Sequence, residues 1–232
     1  MLTTNPFAEL SAVVPPVIMQ AYVVVMALLV VAGTLFDIAH KRSAQYFFAN
    51  WRQARARARK PVGGGEMMAI AVKTAVVDVM ASGEFCNQRR RVAHLLGMYG
   101  FVIHVVATAV IVFAYPTATT PAPAALAVLW HVGALMVCVG GYWFWFFIRV
   151  DVAAEGHSPF RLMRADLFVV ALVLSATFGL AWAWSQTAGS AAAAWVFLAL
   201  YLIATTVLFA SIPWSKFSHM FFKPAAAFEK RM

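Results

Sequence analysis

The chain has 232 residues, is 63% hydrophobic and 12% charged, and carries a formal net charge of +9. A soluble domain carries about twice that charged fraction, and several apolar runs here reach membrane-spanning length, which excludes an ordinary soluble fold. Its two cysteines, Cys86 and Cys138, build neither a disulfide framework nor an iron–sulfur motif, and the basic surplus flanks the apolar runs, so nucleic acid is not the expected partner.

The N-terminal stretch "MLTTNPFAELSAVVPP" lacks the basic start of a signal peptide. The apolar run behind it is expected to stay in the protein. The pattern predicts an all-α membrane protein, a bundle of five transmembrane helices forming one membrane domain over 1–232. The spans are predicted at 17–37, 92–114, 124–148, 167–186 and 192–212. Residues 38–91 form a basic and amphipathic loop between the first two spans.

Within that loop, 44–60 reads as a basic surface helix with Tyr46, Phe47, Phe48 and Trp51 as apolar contacts. "GGGE" at 63–66 is expected to break the chain. The stretch 67–81, with Lys73 and Asp78 inside it, is too short and too charged to span. It is expected to lie on the membrane surface or to dock on a partner. Anionic lipid and a protein partner are equally good occupants for the basic loop.

Charge sets the direction. Lys41, Arg42 and the 52–60 cluster follow span one, and Arg89, Arg90 and Arg91 precede span two. Arg149, Arg161 and Arg164 lie between spans three and four, and Lys216, Lys223, Lys230 and Arg231 follow span five. The opposite loops, "YPTATTPAPA" and "SQTAGSA", carry no charge. The positive-inside rule puts the N-terminus outside and the C-terminus in the cytoplasm.

Four of the six histidines matter most, three of them inside predicted spans where a titratable group is costly. His94 and His104 belong to span two, His131 to span three, and His219 follows span five. Intramembrane ionisable residues usually face the bundle interior or a cofactor. Ten residues turn a helix to within about 80° of three full turns and rise ~15 Å. His94 and His104 therefore share a broad face at two depths, with Gly97 and Phe101 between them. Gly97 leaves room for a flat ligand. Two stacked haems suit that spacing, each needing a second histidine. Depth pairs His94 with His219 near the basic side, and His104 with His131 further out. Two imidazoles leave no open iron site, which is electron-transfer chemistry. Satisfied core histidines are the competing reading, most evenly balanced at His131. Lys216 and Arg91 stand where haem propionates would emerge, and equally where positive-inside anchors belong.

The segment Pro213–His219, "PWSKFSH", resembles the end of the last helix in the haem b membrane subunits of respiratory nitrate reductase. It is similar also to the membrane anchors of dissimilatory sulfur-metabolism complexes. Five spans, an external N-terminus and a histidine pair ten apart complete the likeness, which covers the chain from about residue 85 onward. The nitrate reductase type has a further ligand eighteen residues before the last histidine, and here that position is Tyr201. The resemblance implies one haem on His94 and His219, or two with His131 replacing the lost ligand.

Within that family a chain of membrane domain and loops, without an iron–sulfur extension, most resembles the membrane anchor of adenylylsulfate reductase, and the resemblance places it in a bacterial inner membrane with a periplasmic N-terminus. The same resemblance implies a cytoplasmic iron–sulfur and flavin enzyme docked on the basic loop, exchanging electrons with quinone. Proton-handling candidates beside a quinone are Asp37, His40, His157 and Lys216 on the basic side. Tyr99, Tyr115 and Gln186 are the candidates outside. A haem-free anchor or assembly protein and a small transporter are the alternatives. The transporter lacks the expected internal repeat.

Overall fold

The structure is a computed structural model. It describes residues 2–41, 45, 48–53, 63–83, 85, 87–149, 156, 160–163, 166–214, 224 and 226–228. His219, Lys216, His157 and Cys86 lie outside the described residues.

All regular structure among the described residues is helical. A short helix α1 covers Pro6–Leu10 and α2 covers Pro16–Lys41. α3 covers Gly64–Lys73 and continues in π-helical turns through Thr74–Met80. α4 covers Gln88–Ala114. α5 covers Ala124–Trp143 and runs on through Phe144–Ile148. α6 covers Leu167–Thr187 and α7 covers Ala191–Ala210. Five of these, α2 and α4 to α7, are long and apolar enough to cross a membrane. The chain is a multi-pass membrane protein.

The spans agree with the hydropathy reading to within a few residues; the two largest differences are of four residues, at the end of α2, which runs on to Lys41, and at the start of α4. α4 begins at Gln88, four residues before the expected start at 92. Asn87 is the reason: its Oδ1 accepts from the Arg89 N–H at 2.9 Å and the Arg90 N–H at 3.3 Å. The cap draws Arg89, Arg90 and Arg91 into the first turn. Three cations there oppose the helix dipole. Their placement therefore answers to something other than helix stability.

α4 and α5 pack antiparallel with their backbones in contact. A Cβ built on Gly100 would lie 2.7 Å from the Gly133 carbonyl oxygen, and one on Gly133 would lie 2.7 Å from the His104 nitrogen. One on Gly140 would lie 2.7 Å from the Ala93 carbonyl oxygen. Glycines at such a seam let dispersion replace the hydrophobic drive that lipid removes. α6 pairs with α7, where the Ser175 and Thr205 hydroxyls meet at 2.7 Å. α2 joins α7 through Tyr22, whose hydroxyl donates to the Leu202 carbonyl at 2.9 Å.

The core lies toward the uncharged end. Trp130 and Trp182 are fully buried there, and Phe7 from α1 sets its ring edge-on to both, at 6.0 and 5.2 Å between centroids. α1 is held by the Gln186 amide, which donates to the Pro6 carbonyl at 3.1 Å, and by the Asn5 amide, which donates to the Tyr115 carbonyl at 3.0 Å.

At the basic end Arg149 and Asp166 form an ion pair with side chains only 6% and 11% exposed. Arg149 also donates to the Arg161 carbonyl at 2.8 Å and stands 4.0 Å over the Trp145 ring. The Met163 N–H donates to the Asp166 carboxylate at 2.8 Å. Removing one partner strands a desolvated charge. Asp166→Ala is expected to cost about 3–5 kcal/mol, read as a lower thermal midpoint in detergent.

The loop between α2 and α4 follows expectation in part. Residues 48–53 are helical, and Phe48 meets Trp51 edge-on at 6.4 Å. The glycine run does not break the chain where expected: Gly63 caps α3, which starts at Gly64. Met68, Val72, Val76 and Met80 stay exposed along α3. Its far end is fastened to α4.

Candidate functional site

Three described histidines are candidates, and each uses its Nδ1. His104 is 8% exposed, and its Nδ1–H donates to the Trp130 carbonyl at 2.9 Å. His131 is fully buried, and its Nδ1–H donates to the Ala127 carbonyl one turn back at 2.8 Å. A carbonyl accepts only, so in both neutral rings the lone pair is on Nε2. Both Nε2 atoms are buried and have no hydrogen-bond partner among the described residues. An unsatisfied buried acceptor costs roughly 1–3 kcal/mol. Each of these nitrogens has the lone pair that a metal ligand requires.

His104 is held in a closed ring of hydrogen bonds. Trp130 Nε1–H donates to the Thr108 hydroxyl at 2.9 Å, and that hydroxyl donates to the His104 carbonyl at 2.7 Å. The His104 imidazole is 4.7 Å from the Trp130 ring and 6.5 Å from the Tyr201 ring. Tyr201 is 5% exposed and stacks on Trp182 at 6.0 Å. Position 201 on α7 thus faces His104 across the bundle. Thr108→Val would leave the buried Trp130 N–H without its acceptor. It should cost about 1–3 kcal/mol, measured by thermal unfolding.

His94 lies on the basic side of α4. Its Nδ1 is 3.0 Å from Ser82 Oγ, and its ring is 4.9 Å from Phe85. The same turn is fastened to α4 twice more. Tyr99 donates to the Met80 carbonyl at 2.8 Å and Arg91 Nε donates to the Ala81 carbonyl at 2.8 Å. These donors satisfy carbonyls that a helix end leaves open. Tyr99 therefore belongs with the basic-end turn rather than with an outer polar site. Gln186 is engaged with α1, as described above.

Gly97 lies between His94 and His104, and a Cβ there would meet nothing within 4 Å. Gly100, Gly133 and Gly140, by contrast, are in backbone contact. The open side of α4 is therefore at Gly97, and the seam with α5 is closed. Phe101 faces Phe209 of α7 at 6.4 Å between rings.

On α2, Asp37 is 1% exposed and four residues from Gly33. A Cβ on Gly33 would lie 3.0 Å from Ile212 Cβ. Asp37 thus shares the α2 face that meets the exit of α7. The side chain of Lys41, its expected partner, lies outside the described residues. His40 is exposed and stacks on Phe36 at 5.5 Å.

The donor set fits a haem. Two buried imidazoles present lone pairs, a third is held by its Nδ1, and a glycine opens the α4 face between His94 and His104. Among the described residues no group of three or more His, Cys, Asp or Glu gathers to hold a metal ion. Axial ligation of haem needs no such group.

Sequence reasoning missed Ser82, Thr108 and Trp130. Only "SG" at 82–83, a turn signal, pointed to any of them. Comparison with protein-family models, with curated proteins and with solved structures finds no match to this chain.

Proposed function

We propose that the chain is a membrane anchor and electron-transfer subunit of a bacterial inner membrane. It passes electrons through b-type haem between a cytoplasmic redox enzyme and the quinone pool. The observation that carries the reading is the shared state of the buried histidines: Nδ1 engaged, Nε2 lone pair turned to the interior without a partner. A chain using these residues only for packing would satisfy both nitrogens or replace the ring.

His94 and His219 are the proposed ligands on the cytoplasmic side, and His104 and His131 are the candidates for a second haem. The closed α4–α5 seam favours a site on the α7 side of His104, where Tyr201 stands. Haem held by these imidazoles would supply a one-electron couple. The chain's own residues orient the rings, exclude water and place Arg89, Arg90 and Arg91 at the basic end. Those arginines, exposed or half-buried at a helix start that disfavours them, suit an acidic docking surface or anionic lipid. An adenylylsulfate reductase is the proposed partner on resemblance alone.

Adding a quinol to the purified chain in liposomes tests the reading. Reduction of a low-spin b-type band on a time scale of seconds is the expected result. A stable, folded chain whose spectrum does not respond would favour the haem-free anchor.

A further inference from the structure

A helix that closes in the left-handed region usually places glycine there, because a Cβ is penalised at positive φ. α3 closes in this way. The Ala81 N–H donates to the Val76 carbonyl at 2.9 Å and the Gly83 N–H to the Val77 carbonyl at 2.7 Å. The left-handed residue is Ser82, at φ 49°, and it is the one non-glycine residue with positive φ among the described residues. A glycine stands next to it in sequence. Moving the turn by one residue would put Gly83 in the left-handed position and relieve the strain. It would also carry the Ser82 side chain away from α4.

In the register observed, Ser82 is 1% exposed and its Oγ is 3.0 Å from His94 Nδ1. Gly83 is needed where it is, because a Cβ there would lie 2.8 Å from the Val77 carbonyl oxygen. Arg91 and Tyr99 hold the turn on either side of the contact. Strain retained beside a relieving glycine marks a position fixed by its surroundings. The strained register secures two contacts together, the close approach of Gly83 to the Val77 carbonyl and the Ser82 hydroxyl on His94.

We propose that Ser82 is the positioning residue of His94. Its oxygen accepts the Nδ1–H, fixes the ring and leaves the lone pair on Nε2, the nitrogen a haem iron takes. The backbone carbonyls of Trp130 and Ala127 do the same for His104 and His131. At His94 the acceptor is a side chain on the turn that ends α3, so that turn and the ligand are one unit. This inference rests on the haem reading for its purpose but not for its geometry.

The test uses the full chain labelled with ¹⁵N-histidine, with and without haem, and the variants Ser82→Gly and Ser82→Ala. His94 is assigned by the signal lost in His94→Gln. In the haem-free wild type, Nδ1 should carry the proton and Nε2 should not. Ser82→Gly relieves the turn and should melt at or above the wild type, whereas Ser82→Ala keeps the strain and should melt at or below it. Both should lose the His94 tautomer preference and hold haem about 10-fold less tightly. A role confined to folding would make His94 follow the melting temperature instead. An Nε2-protonated His94 in the wild type, or unchanged His94 shifts in Ser82→Gly, would overturn the proposal. A wild type that keeps the Nδ1–H form yet takes up no haem would sink the haem reading and leave the positioning role standing.

Discussion

Glutamine at position 94 should remove the haem proposed at the basic end, leaving less than about one-tenth of it per chain, while the five spans stay folded. Glutamine keeps a polar side chain near Ser82 but offers iron no imidazole nitrogen. The five spans are expected to fold without the ring. His94 lies at the margin of α4, the α4–α5 seam is made by glycines, and the turn at Ser82 keeps its bonds from Arg91 and Tyr99. His219→Gln should give the same loss if the two rings share one iron. A pyridine haemochrome assay checks haem per chain, and far-ultraviolet circular dichroism checks the helices. Equal haem in wild type and both variants would remove these residues from the ligand set. A haem-free anchor would show no difference because it would show no haem.

Valine at Gly133 should prevent α4 and α5 from pairing. The added Cβ would meet the His104 nitrogen at 2.7 Å and the Gly100 carbonyl oxygen at 2.8 Å. Backbone atoms of two long helices cannot swing aside as a side chain can. Even Gly133→Ala is expected to cost about 1–3 kcal/mol by overpacking, and valine more. Because the clash falls on His104, its hydrogen bond to Trp130 should fail with it. Gly97→Ala is the control. Its Cβ meets nothing within 4 Å, so the thermal midpoint should hold. If the open face at Gly97 admits a macrocycle, the same alanine should lower haem retention. Thermal unfolding in detergent, followed together with the b-type band, separates the two glycines.

The five spans were legible because each is a continuous apolar run, and lipid requires its backbone to be helical throughout. The early start of α4 was not, since hydropathy counts Arg89 to Arg91 as loop and gives no weight to a cap at Asn87. α1 was hidden for a related reason. Five residues carry no periodic signal, and Phe7 earns its place in the core only against Trp130 and Trp182, which are remote in sequence. The histidines were visible as expensive residues in apolar runs. Their tautomers were not, because the acceptors are backbone carbonyls, which every residue has. Ser82 was the least legible. A serine beside a glycine reads as an ordinary turn, and only the backbone shows that the serine, not the glycine, takes the left-handed position.

Haem b held on histidine pairs of the bundle is the proposed redox centre. It is tested most directly by a dithionite-reduced minus oxidised spectrum of the chain, purified in mild detergent after expression with ample haem. A pyridine haemochrome assay on the same sample gives the count. The expected result is a sharp low-spin b-type signal: one haem per chain assigns His94 and His219, and two bring in His104 with His131 as the replacement ligand. A folded chain with no haem signal would contradict it.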